Sequence, residues 1–476
     1  MKIKDRILKR ILLALIPSLV LCFCNMGVIA VDDDEITSVT DREDKEEKSD
    51  EKEEEEKVNP KRKKGGKPAL GDGETGILID SKSGRVMFEK DSDKKMYPAS
   101  TTKIMTALLA VEAVESGKLS MDTQIEVTKE MLEDLDPDGT NMALKEGEIL
   151  TLENLLRGLM IASGNDAANV IAMYLGQSVA SFVDSMNARA LELGAEDTHF
   201  VNPHGLHDDE HYTTAADMAK IAREAMKHFE FRNIVDIAHV KIPPTNKTEQ
   251  ERYYINTNGL LSTMRYTNHF YKGSIGIKTG YTSKAGNCLV SAAKRENREF
   301  IGVIFGGKNS SDSHNDSAEM LDWGFENYTA ITAISKNTMT CEVRVRQGKR
   351  ADSLPLSAAE AISVVVENGT SADELEIRPN IPESVRAPIF AGQEIGTVSV
   401  LHNGTELASG TLIASRDVER TIFWPIISLG EWLWAQKLVR VLVYLVIAAA
   451  VAFVLIFVIG IYNNLKKAKH RRRRMR

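Results

Sequence analysis

The chain has 476 residues, of which 43% are apolar and 27% are charged. This length and composition predict more than one folded domain, and they exclude a wholly disordered or collagen-like protein. The formal net charge of −8 comes from 60 basic and 68 acidic residues, which are grouped in blocks along the chain. The blocks, more than the mean charge, indicate how the chain is organised.

Residues 1–30 have the three parts of a secretory signal peptide. Five basic residues among the first ten precede an apolar run over residues 11–23, and the segment ends in Val-Ile-Ala. Cleavage after Ala30 leaves Cys288 and Cys341 in the mature chain, too few for a disulfide framework. We predict that both are buried free thiols, with a single bridge between them as the alternative.

Residues 31–68 are dominated by charge. Residues 32–57 contain fifteen acidic and five basic residues, and residues 61–67 add five basic ones. Such a segment cannot bury enough apolar area to offset its chain entropy, which predicts a disordered tether. We predict no nucleic-acid partner for the short basic patch, because the signal peptide sends the chain out of the cell.

The other end of the chain predicts a membrane anchor. Residues 441–462 carry no charge and would span about 33 Å as a helix, enough to cross a bilayer core. Eight basic residues follow the span and only two lie close before it, so residues 463–476 are predicted to be cytoplasmic and the folded body extracytoplasmic. The Trp-rich residues 416–440 predict an interfacial segment or, alternatively, a packed helix.

The predicted secondary structure of the folded part of the chain changes near residue 328, from mixed helices and strands to strands. Before it, strand patterns over residues 75–79 and 86–89 flank a turn and predict a hairpin, and apolar spacings of three and four predict helices over residues 101–115, 152–163, 167–175 and 215–227. After it, the pattern predicts strands over residues 341–345, 362–366, 396–401 and 406–413. We therefore predict an α/β catalytic domain over residues 69–328 and a small β-rich domain over residues 329–415.

The first candidate for chemistry is the Ser-Thr-Thr-Lys tetrad that runs from Ser100 to Lys103. A serine hydroxyl needs an adjacent base to act as a nucleophile, and a lysine three residues later lies on the same face of a helix. The same spacing recurs at three other serines that no helix presents. Because a serine at a helix start can also be an N-cap, the tetrad alone leaves both interpretations open.

Two further motifs favour catalysis. Ser163 and Asn165, which are separated by one residue, lie between two helical patterns. Their side chains are therefore expected on a connection open to a cleft. Lys278, Thr279 and Gly280 lie in a strand pattern that leads into a second apolar strand at residues 288–292. A lysine and a glycine two apart on a strand share one face, so the cation can hold an anion while the glycine admits a ligand backbone.

The order Ser-x-x-Lys, Ser-x-Asn, Lys-Thr-Gly is the signature set of penicillin-binding proteins and serine β-lactamases. The chain resembles the low-molecular-mass penicillin-binding proteins that act as D-alanyl-D-alanine carboxypeptidases. The resemblance covers about residues 71–415 and includes the Tyr-Pro-Ala leader before Ser100 and the stretches 204–219 and 256–261. It implies an α/β (α+β) catalytic domain of the penicillin-binding/β-lactamase type, with a sheet flanked by helices, then a small all-β domain and, here, one C-terminal transmembrane helix.

The resemblance also implies a mechanism. Ser100 would attack the bond between the two terminal D-alanines of a peptidoglycan stem peptide and form an acyl-enzyme, the same step by which β-lactam antibiotics inhibit such enzymes covalently. Lys103 would be the base, which requires a pKa lowered from about 10.4 toward 7 or 8. Burial and the charge of Lys278 both act in that direction.

Other roles follow from the same resemblance. It implies that Ser163 and Asn165 relay a proton and hold the substrate amide, and that the backbone N–H groups of Ser100 and Tyr281 form the oxyanion hole. The implied substrate-binding residues, which include those that hold the terminal carboxylate, are Lys278, Thr279, Gly280 and Tyr281.

A zinc site is an alternative for one loop, which contains His204, His207, Asp208, Asp209 and His211. These residues lie on a Gly-containing loop and not on one helix face as in a His-Glu-x-x-His site. We therefore predict no metal and no cofactor. Asp217, at the head of a helical pattern, is predicted to be structural.

Three other functions remain open. A class A β-lactamase would share the motifs, but no Glu-x-x-Leu-Asn stretch lies between Ser163 and Lys278 to activate a deacylating water. A D,D-endopeptidase acting on cross-links is compatible with the motifs. A non-catalytic wall-binding scaffold is disfavoured, because binding alone does not require a nucleophile with its base.

Overall fold

The computed structural model describes residues 66–133, 135–136, 139–422 and 424–474. The predicted signal peptide, residues 1–30, and nearly all of the predicted tether, residues 31–68, lie outside the described residues. The predicted cytoplasmic tail is described as far as Arg474.

The strands up to residue 307 are β1 (Thr75–Asp80), β2 (Val86–Lys90), β3 (Gln124–Glu126), β4 (Ile149–Thr151), β5 (His239–Ile242), β6 (Arg252–Ile255), β7 (Ser274–Thr282), β8 (Gly286–Arg295) and β9 (Arg298–Gly307). Five of them form one antiparallel sheet in the order β2-β1-β9-β8-β7. The predicted hairpin is confirmed as β1 and β2, and the two strands predicted around residues 278 and 288–292 are confirmed as β7 and β8.

The helices of this region are α1 (Lys103–Glu115), α2 (Leu152–Ile161), α3 (Asn165–Gly176), α4 (Val179–Glu192), α5 (Ala215–Ala225), α6 (Phe229–Val235) and α7 (Ser310–Asn327). The four predicted helices are present, each end within two residues of its prediction. Local capping fixes some of the starts, since the Thr151 hydroxyl accepts from the Asn154 N–H at 3.2 Å and the Thr214 hydroxyl from the Asp217 N–H at 3.0 Å. Each cap satisfies a backbone donor that helix geometry leaves unpaired.

The sheet is covered by helices on both faces. Successive residues of a strand point to opposite sides, and on β1 the side chains of Ile77 and Ile79 belong to one buried cluster while Leu78 belongs to another. Met218 of α5 lies in the first cluster and Leu321 of α7 in the second. The predicted fold class, a sheet flanked by helices, is confirmed.

A second region consists almost entirely of strands, which are β10 (Tyr328–Ile334), β11 (Met339–Arg346), β12 (Ser353–Ala358), β13 (Ile362–Glu367), β14 (Glu376–Asn380), β15 (Ser384–Arg386), β16 (Glu394–His402) and β17 (Thr405–Ala414). Six of them form a sheet in the order β14-β16-β17-β12-β11-β15, and β10 pairs with β13. Aliphatic side chains such as Leu356, Val364 and Leu412 fill the core between them. The predicted all-β region is confirmed.

Cys288 and Cys341 are free thiols, so the alternative of a bridge between them is wrong. Cys288 is buried on β8, as predicted, and burial raises the pKa of its thiol to about 12. Cys341 is only half-buried, so its predicted burial is wrong. It lies near the beginning of β11, at the margin of the aliphatic core, whereas Val343 and Val345 of the same face lie deeper.

Two helices, α8 (Trp424–Ala435) and α9 (Lys437–Arg474), follow the β-rich region. Within α9, Arg440–Gly460 is long and apolar enough to cross a membrane, and none of it is buried against the rest of the protein. This segment coincides with the predicted span over residues 441–462. On α8 the side chains of Trp432 and Trp434 are 60% and 50% exposed.

Candidate active site

Ser100 lies in a single 3₁₀ turn, Ala99–Thr102, immediately before α1. The sequence predicted a helix from residue 101, and the difference comes from the backbone conformation of Ala99. Ala99 has a φ of +48°, a left-handed conformation that costs a non-glycine residue free energy and breaks helical continuity. Gly205 packs directly against this turn, because a Cβ there would lie 1.8 Å from the Ala99 carbonyl oxygen. The strained turn presents Ser100 to a cleft.

Lys103 is fully buried, and its amine reaches three oxygen atoms. Its Nζ lies 2.9 Å from Ser100 Oγ, 2.7 Å from Asn165 Oδ1 and 2.8 Å from the His204 carbonyl oxygen. A neutral amine has two N–H bonds and one lone pair. The two carbonyl-type oxygens can only accept, so in the neutral state they take both N–H groups and direct the lone pair at the Ser100 hydroxyl.

The surroundings of Lys103 favour that neutral state. Burial lowers the pKa of Lys103 well below its ordinary value, and the charge of Lys278 lowers it further. Asp166 acts in the opposite direction. Because charged groups lose favourable solvation when buried, Lys103 can be a base at a pH where an exposed lysine is protonated.

Ser163 and Asn165 lie where α2 ends and α3 begins. Ser163 has a φ of +63° and is 6% exposed, while Asn165 is the first residue of α3. The sequence predicted both residues on a connection, and only Ser163 is outside a helix. The left-handed turn at Ser163 lets its hydroxyl line the same cleft as Ser100.

A loop crosses over this corner and holds it in place. The Asn165 N–H donates to the Thr140 carbonyl oxygen at 2.8 Å, and a Cβ at Gly139 would lie 2.7 Å from Asn165 Nδ2. Asp166, the next residue, accepts the N–H groups of Met142 at 2.9 Å and Leu144 at 3.1 Å. The buried Asp166 carboxylate therefore holds the loop, and the loop in turn contacts Asn165 through the Thr140 carbonyl oxygen.

The opposite wall of the cleft is the edge strand β7. Thr279 Oγ1 donates to Thr257 Oγ1 at 2.5 Å, and Tyr281 is 65% exposed. Gly280 lies against the turn that contains Ser100, since a Cβ there would be 2.9 Å from the Ser100 nitrogen. No side chain can be added at Gly280 without displacing Ser100. An edge strand also offers unpaired backbone groups to an extended peptide.

Lys278 is 1% exposed and lies beside Thr279, whose carbonyl oxygen accepts from Lys278 Nζ at 3.0 Å. Burial, and then the charge of Arg265, lower the pKa of Lys278 to about 7. A ligand carboxylate would favour the protonated form of Lys278, because an opposite charge stabilises a buried cation. Anion binding and protonation at this position are therefore coupled.

The three motifs converge on one cleft of about 360 Å³. Six of the eight predicted site residues line it, Lys103 contacts Ser100, and Lys278 contacts Thr279. Other residues that line the same cleft, which include Thr257, Arg265 and His314, had no predicted role. Thr257 lay within the stretch that carried the resemblance, whereas nothing in the sequence pattern marked Arg265 or His314.

The histidine-containing loop supports the turn that contains Ser100. His211 Nε2 lies 2.8 Å from Thr102 Oγ1, and His211 Nδ1 accepts the Val201 N–H at 3.0 Å. His204 gives its carbonyl oxygen to Lys103 and its Nδ1 accepts the Leu206 N–H at 3.2 Å. Burial above all lowers the pKa of His204 to about 3 and that of His211 to about 4. The His211 ring thus supports Thr102, whereas His204 supports Lys103 through its backbone carbonyl oxygen.

Away from the cleft, Glu112, Glu224 and His228 are close enough for three ligand atoms to surround a metal ion. Arg189 already occupies this position, with ion pairs of 2.7 Å to Glu112 and 3.4 Å to Glu224. The guanidinium supplies the positive charge that the two carboxylates require. Asp217 is also a structural group, since its Oδ2 accepts the Asp197 N–H at 2.8 Å.

Comparison with known proteins agrees with this geometry. Residues 65–309, just over half of the chain, match the Peptidase S11 family, D-alanyl-D-alanine carboxypeptidase. Residues 328–420 match the C-terminal domain of penicillin-binding protein 5. The chain is 32% identical over 363 residues to the D-alanyl-D-alanine carboxypeptidase DacF of Bacillus subtilis, covering 76% of this chain and 90% of that protein.

Two further relatives cover both folded regions. The identity to the D-alanyl-D-alanine carboxypeptidase DacC of Escherichia coli is 32% over 357 residues, which is 74% of this chain and 86% of that protein. The crystal structure of penicillin-binding protein 5 from Haemophilus influenzae superposes with a TM-score of 0.59 at 29% identity, covering 75% of this chain and 100% of that one. Since sequence, fold and domain order agree, the chain belongs to the Peptidase S11 family of D-alanyl-D-alanine carboxypeptidases, which are serine hydrolases.

Proposed function

We propose that the protein removes the terminal D-alanine from peptidoglycan stem peptides, with Ser100 as the nucleophile and Lys103 as its base. The observation that carries the proposal is the environment of Lys103 Nζ, which has two carbonyl acceptors for its N–H groups and the Ser100 hydroxyl, 2.9 Å away, for its lone pair. A buried neutral amine in hydrogen-bond contact with a hydroxyl is the arrangement that activates a serine.

In acylation, Lys103 takes the proton of the Ser100 hydroxyl while Oγ bonds to the carbonyl carbon of the penultimate D-alanine. The bond to the terminal D-alanine then breaks, and its amine leaves with a proton delivered through Lys103 and Ser163. Water hydrolyses the resulting ester and restores the Ser100 hydroxyl. A β-lactam would acylate Ser100 in the same way, with its ring opening in place of a departing amino acid.

The negative charge that develops on the carbonyl oxygen during both steps needs fixed donors. We assign these donors to the backbone N–H groups of Ser100 and Tyr281. Gly280 supports the assignment, because its missing side chain leaves room for the turn and the strand to approach each other. Donors fixed in advance lower the barrier without reorganising during the reaction.

The free carboxylate of the terminal D-alanine would bind between Lys278 and Thr279. Thr257 supports this role by hydrogen bonding with Thr279 Oγ1, and Asn165 would hold the amide of the stem peptide from the other side of the cleft. Carboxylate recognition of this kind restricts the enzyme to the end of a peptide chain. It also stabilises the protonated form of Lys278.

The deciding experiment incubates the full-length protein in detergent with a peptide that ends in D-Ala-D-Ala and measures free D-alanine. We expect stoichiometric D-alanine release and a covalent adduct of one penicillin on Ser100 by peptide mass spectrometry. Rapid penicillin turnover without D-alanine release would mean a β-lactamase, and peptide binding without either reaction would mean a scaffold. Cleavage of a cross-linked dimer in preference to the monomeric stem peptide would mean an endopeptidase.

We further propose that Arg440–Gly460 anchors the protein in the cell membrane, with the catalytic domain extracytoplasmic and the basic tail cytoplasmic. The length and apolar composition of that segment support the anchor, and the basic residues after it support the orientation. Protease added to intact spheroplasts should remove the catalytic domain and leave a small fragment that contains the tail. A protected catalytic domain would contradict the orientation.

A further inference from the structure

The two ends of the β-rich region carry opposite charges. At one end, residues 346–350, 386–392 and 416–422 contain six basic and two acidic residues, and all six basic side chains are exposed. We call these three segments the basic end. At the other end, residues 367–376 and 402–406 contain five acidic residues and no basic one. Strand β16 runs from the basic end to the acidic end, and β17 returns.

The basic end is one continuous surface and not three separate loops. The Thr421 N–H donates to the Gln347 carbonyl oxygen at 2.8 Å, and the Lys349 N–H donates to the Glu419 carbonyl oxygen at the same distance. A backbone bridge between Ile389 and Val418 ties in the remaining segment. Backbone pairing fixes the positions of the charged side chains relative to one another.

Like charges are brought together within this surface. Arg346 and Arg386 are directly paired across the parallel strands β11 and β15, so both guanidinium groups leave the same face of the sheet. The pairing concentrates positive charge on one face of the basic end, and such a face attracts an anionic membrane surface.

Large apolar side chains stand among these charges. Phe390 is 66% exposed and Ile422 is 79% exposed. Basic side chains around protruding apolar ones are typical of protein segments that lie in the headgroup region of a bilayer. A surface that only bound a soluble anion would not need either apolar residue.

The basic end is continuous with the helices that precede the membrane. Gln347 Nε2 donates to Ser428 Oγ of α8 at 3.0 Å. The same helix exposes Ile426, Leu429, Trp432 and Trp434, and α9 begins two residues after α8 ends. The contact between Gln347 and Ser428 places the basic end next to an apolar helix that leads directly into the candidate span.

We propose that the basic end of the β-rich region rests on the headgroups of an anionic lipid membrane, with Phe390 and Ile422 inserted beside α8. The inference rests on the membrane anchor under the proposed function and goes beyond it, because it gives the β-rich region a lipid-binding face. The acidic end then points away from the bilayer, since the same lipid charge repels it. Contact between this surface and the lipid would orient the region that carries the cleft, in addition to the tethering by the anchor.

The test compares backbone hydrogen exchange of the full-length protein in two kinds of nanodisc, one of phosphatidylcholine alone and one that also contains phosphatidylglycerol. We expect residues 386–392 to exchange about five-fold more slowly in the anionic discs, with residues 367–376 unchanged. The double variant Arg346→Glu, Arg350→Glu should lose the difference. The matched double variant Lys336→Glu, Arg378→Glu, whose residues are exposed elsewhere on the region, should keep it.

Equal exchange of residues 386–392 in the two discs would overturn the proposal, as would lipid-dependent exchange that survives in the Arg346→Glu, Arg350→Glu variant. Protection by an added soluble polyphosphate polymer but not by anionic lipid would also overturn it and assign the surface to a wall polymer. D-alanine release is measured on the same samples. Retained D-alanine release together with equal hydrogen exchange in the two discs would refute only the lipid-binding face. Failure of the protein to insert into either kind of disc would refute the anchor.

Discussion

The two folded regions differ in what they bury. The region that carries the cleft buries cations and carboxylates, including Lys103, Lys278 and Asp166. Among the described residues of 328–420, Ser357 is the one buried polar side chain, and the core is aliphatic. Burial of a charge is costly unless neighbouring groups compensate for it. The two buried lysines of the cleft accordingly have lowered pKa values, and the β-rich region keeps its charges on the surface.

Left-handed non-glycine residues occur in both regions. In the first region, Ala99 and Ser163 both flank the cleft. In the β-rich region such residues include Asn337, Gln347 and Arg350, none of which lines that cleft. At the cleft, the surrounding contacts hold these strained residues in place and position the side chains beside them. The following variants test this division, beginning with the largest expected loss of activity.

The substitution Ser100→Ala should abolish catalysis without changing the folded structure. We expect D-alanine release to fall at least about 10⁴-fold, because Lys103 has no hydroxyl left to activate. No covalent penicillin adduct should appear in the intact-mass spectrum, and the melting temperature should stay that of the wild type. As a control, Ser310→Ala removes another hydroxyl that lines the cleft and should remain active. An adduct that persists in Ser100→Ala would assign the nucleophile to another residue.

The substitution Lys278→Gln should change both substrate binding and the pH profile. We expect kcat/KM to fall about 10²-fold, since the substrate carboxylate loses a buried cationic partner. The charge of Lys278 also lowers the pKa of Lys103, so its removal raises that pKa. Lys103 is then neutral only at higher pH, so the acid limb of the pH profile of kcat should move to higher pH.

The pH profile of kcat, measured from D-alanine release, checks the direction of that shift. The control Lys278→Arg keeps the positive charge and should leave the acid limb near its wild-type position. An acid limb that stays in place or moves to lower pH in Lys278→Gln would contradict the electrostatic coupling between Lys278 and Lys103. Circular dichroism establishes that each variant is folded.

The substitution Arg265→Ala should have a smaller effect, because Arg265 is exposed. We expect KM to rise about five-fold or less with kcat nearly unchanged. The charge of Arg265 lowers the pKa of Lys278, which is about 7, so its removal should keep Lys278 protonated to higher pH. The alkaline limb of the pH profile of kcat/KM should accordingly move to higher pH. Lys284→Ala, another exposed cation on the turn after β7, should leave the limb in place.

The substitution Leu356→Ala tests the β-rich region and should leave activity intact. Leu356 is fully buried in the aliphatic core, so we expect its loss to destabilise that region by about 3 kcal/mol. Hydrogen exchange of β16 and β17 in urea measures the loss of stability, and D-alanine release under native conditions should be unchanged. A parallel loss of activity would show that the two regions are energetically coupled.

Sequence patterns predicted the elements of the fold because the forces that define them act over short separations. The spacing of apolar residues predicted α1, α2, α3 and α5, and a turn between two strand patterns predicted the hairpin of β1 and β2. The beginning of α1 was missed by two residues, because Ala99 is held in its strained conformation by Gly205, more than one hundred residues away. Long-range contacts of this kind leave no local pattern.

The sequence alone determined the motif residues, their order and the need for a shifted pKa at Lys103. The two causes expected for that shift, burial and the charge of Lys278, are both confirmed. Only the tertiary structure made the carbonyl oxygen of His204 an acceptor for Lys103 and brought Arg265 and Thr257 to the cleft. A motif is a set of side-chain types at fixed separations, which a sequence displays directly. A backbone carbonyl or an unmarked arginine becomes functional only through its position, and position depends on the packing of the whole chain.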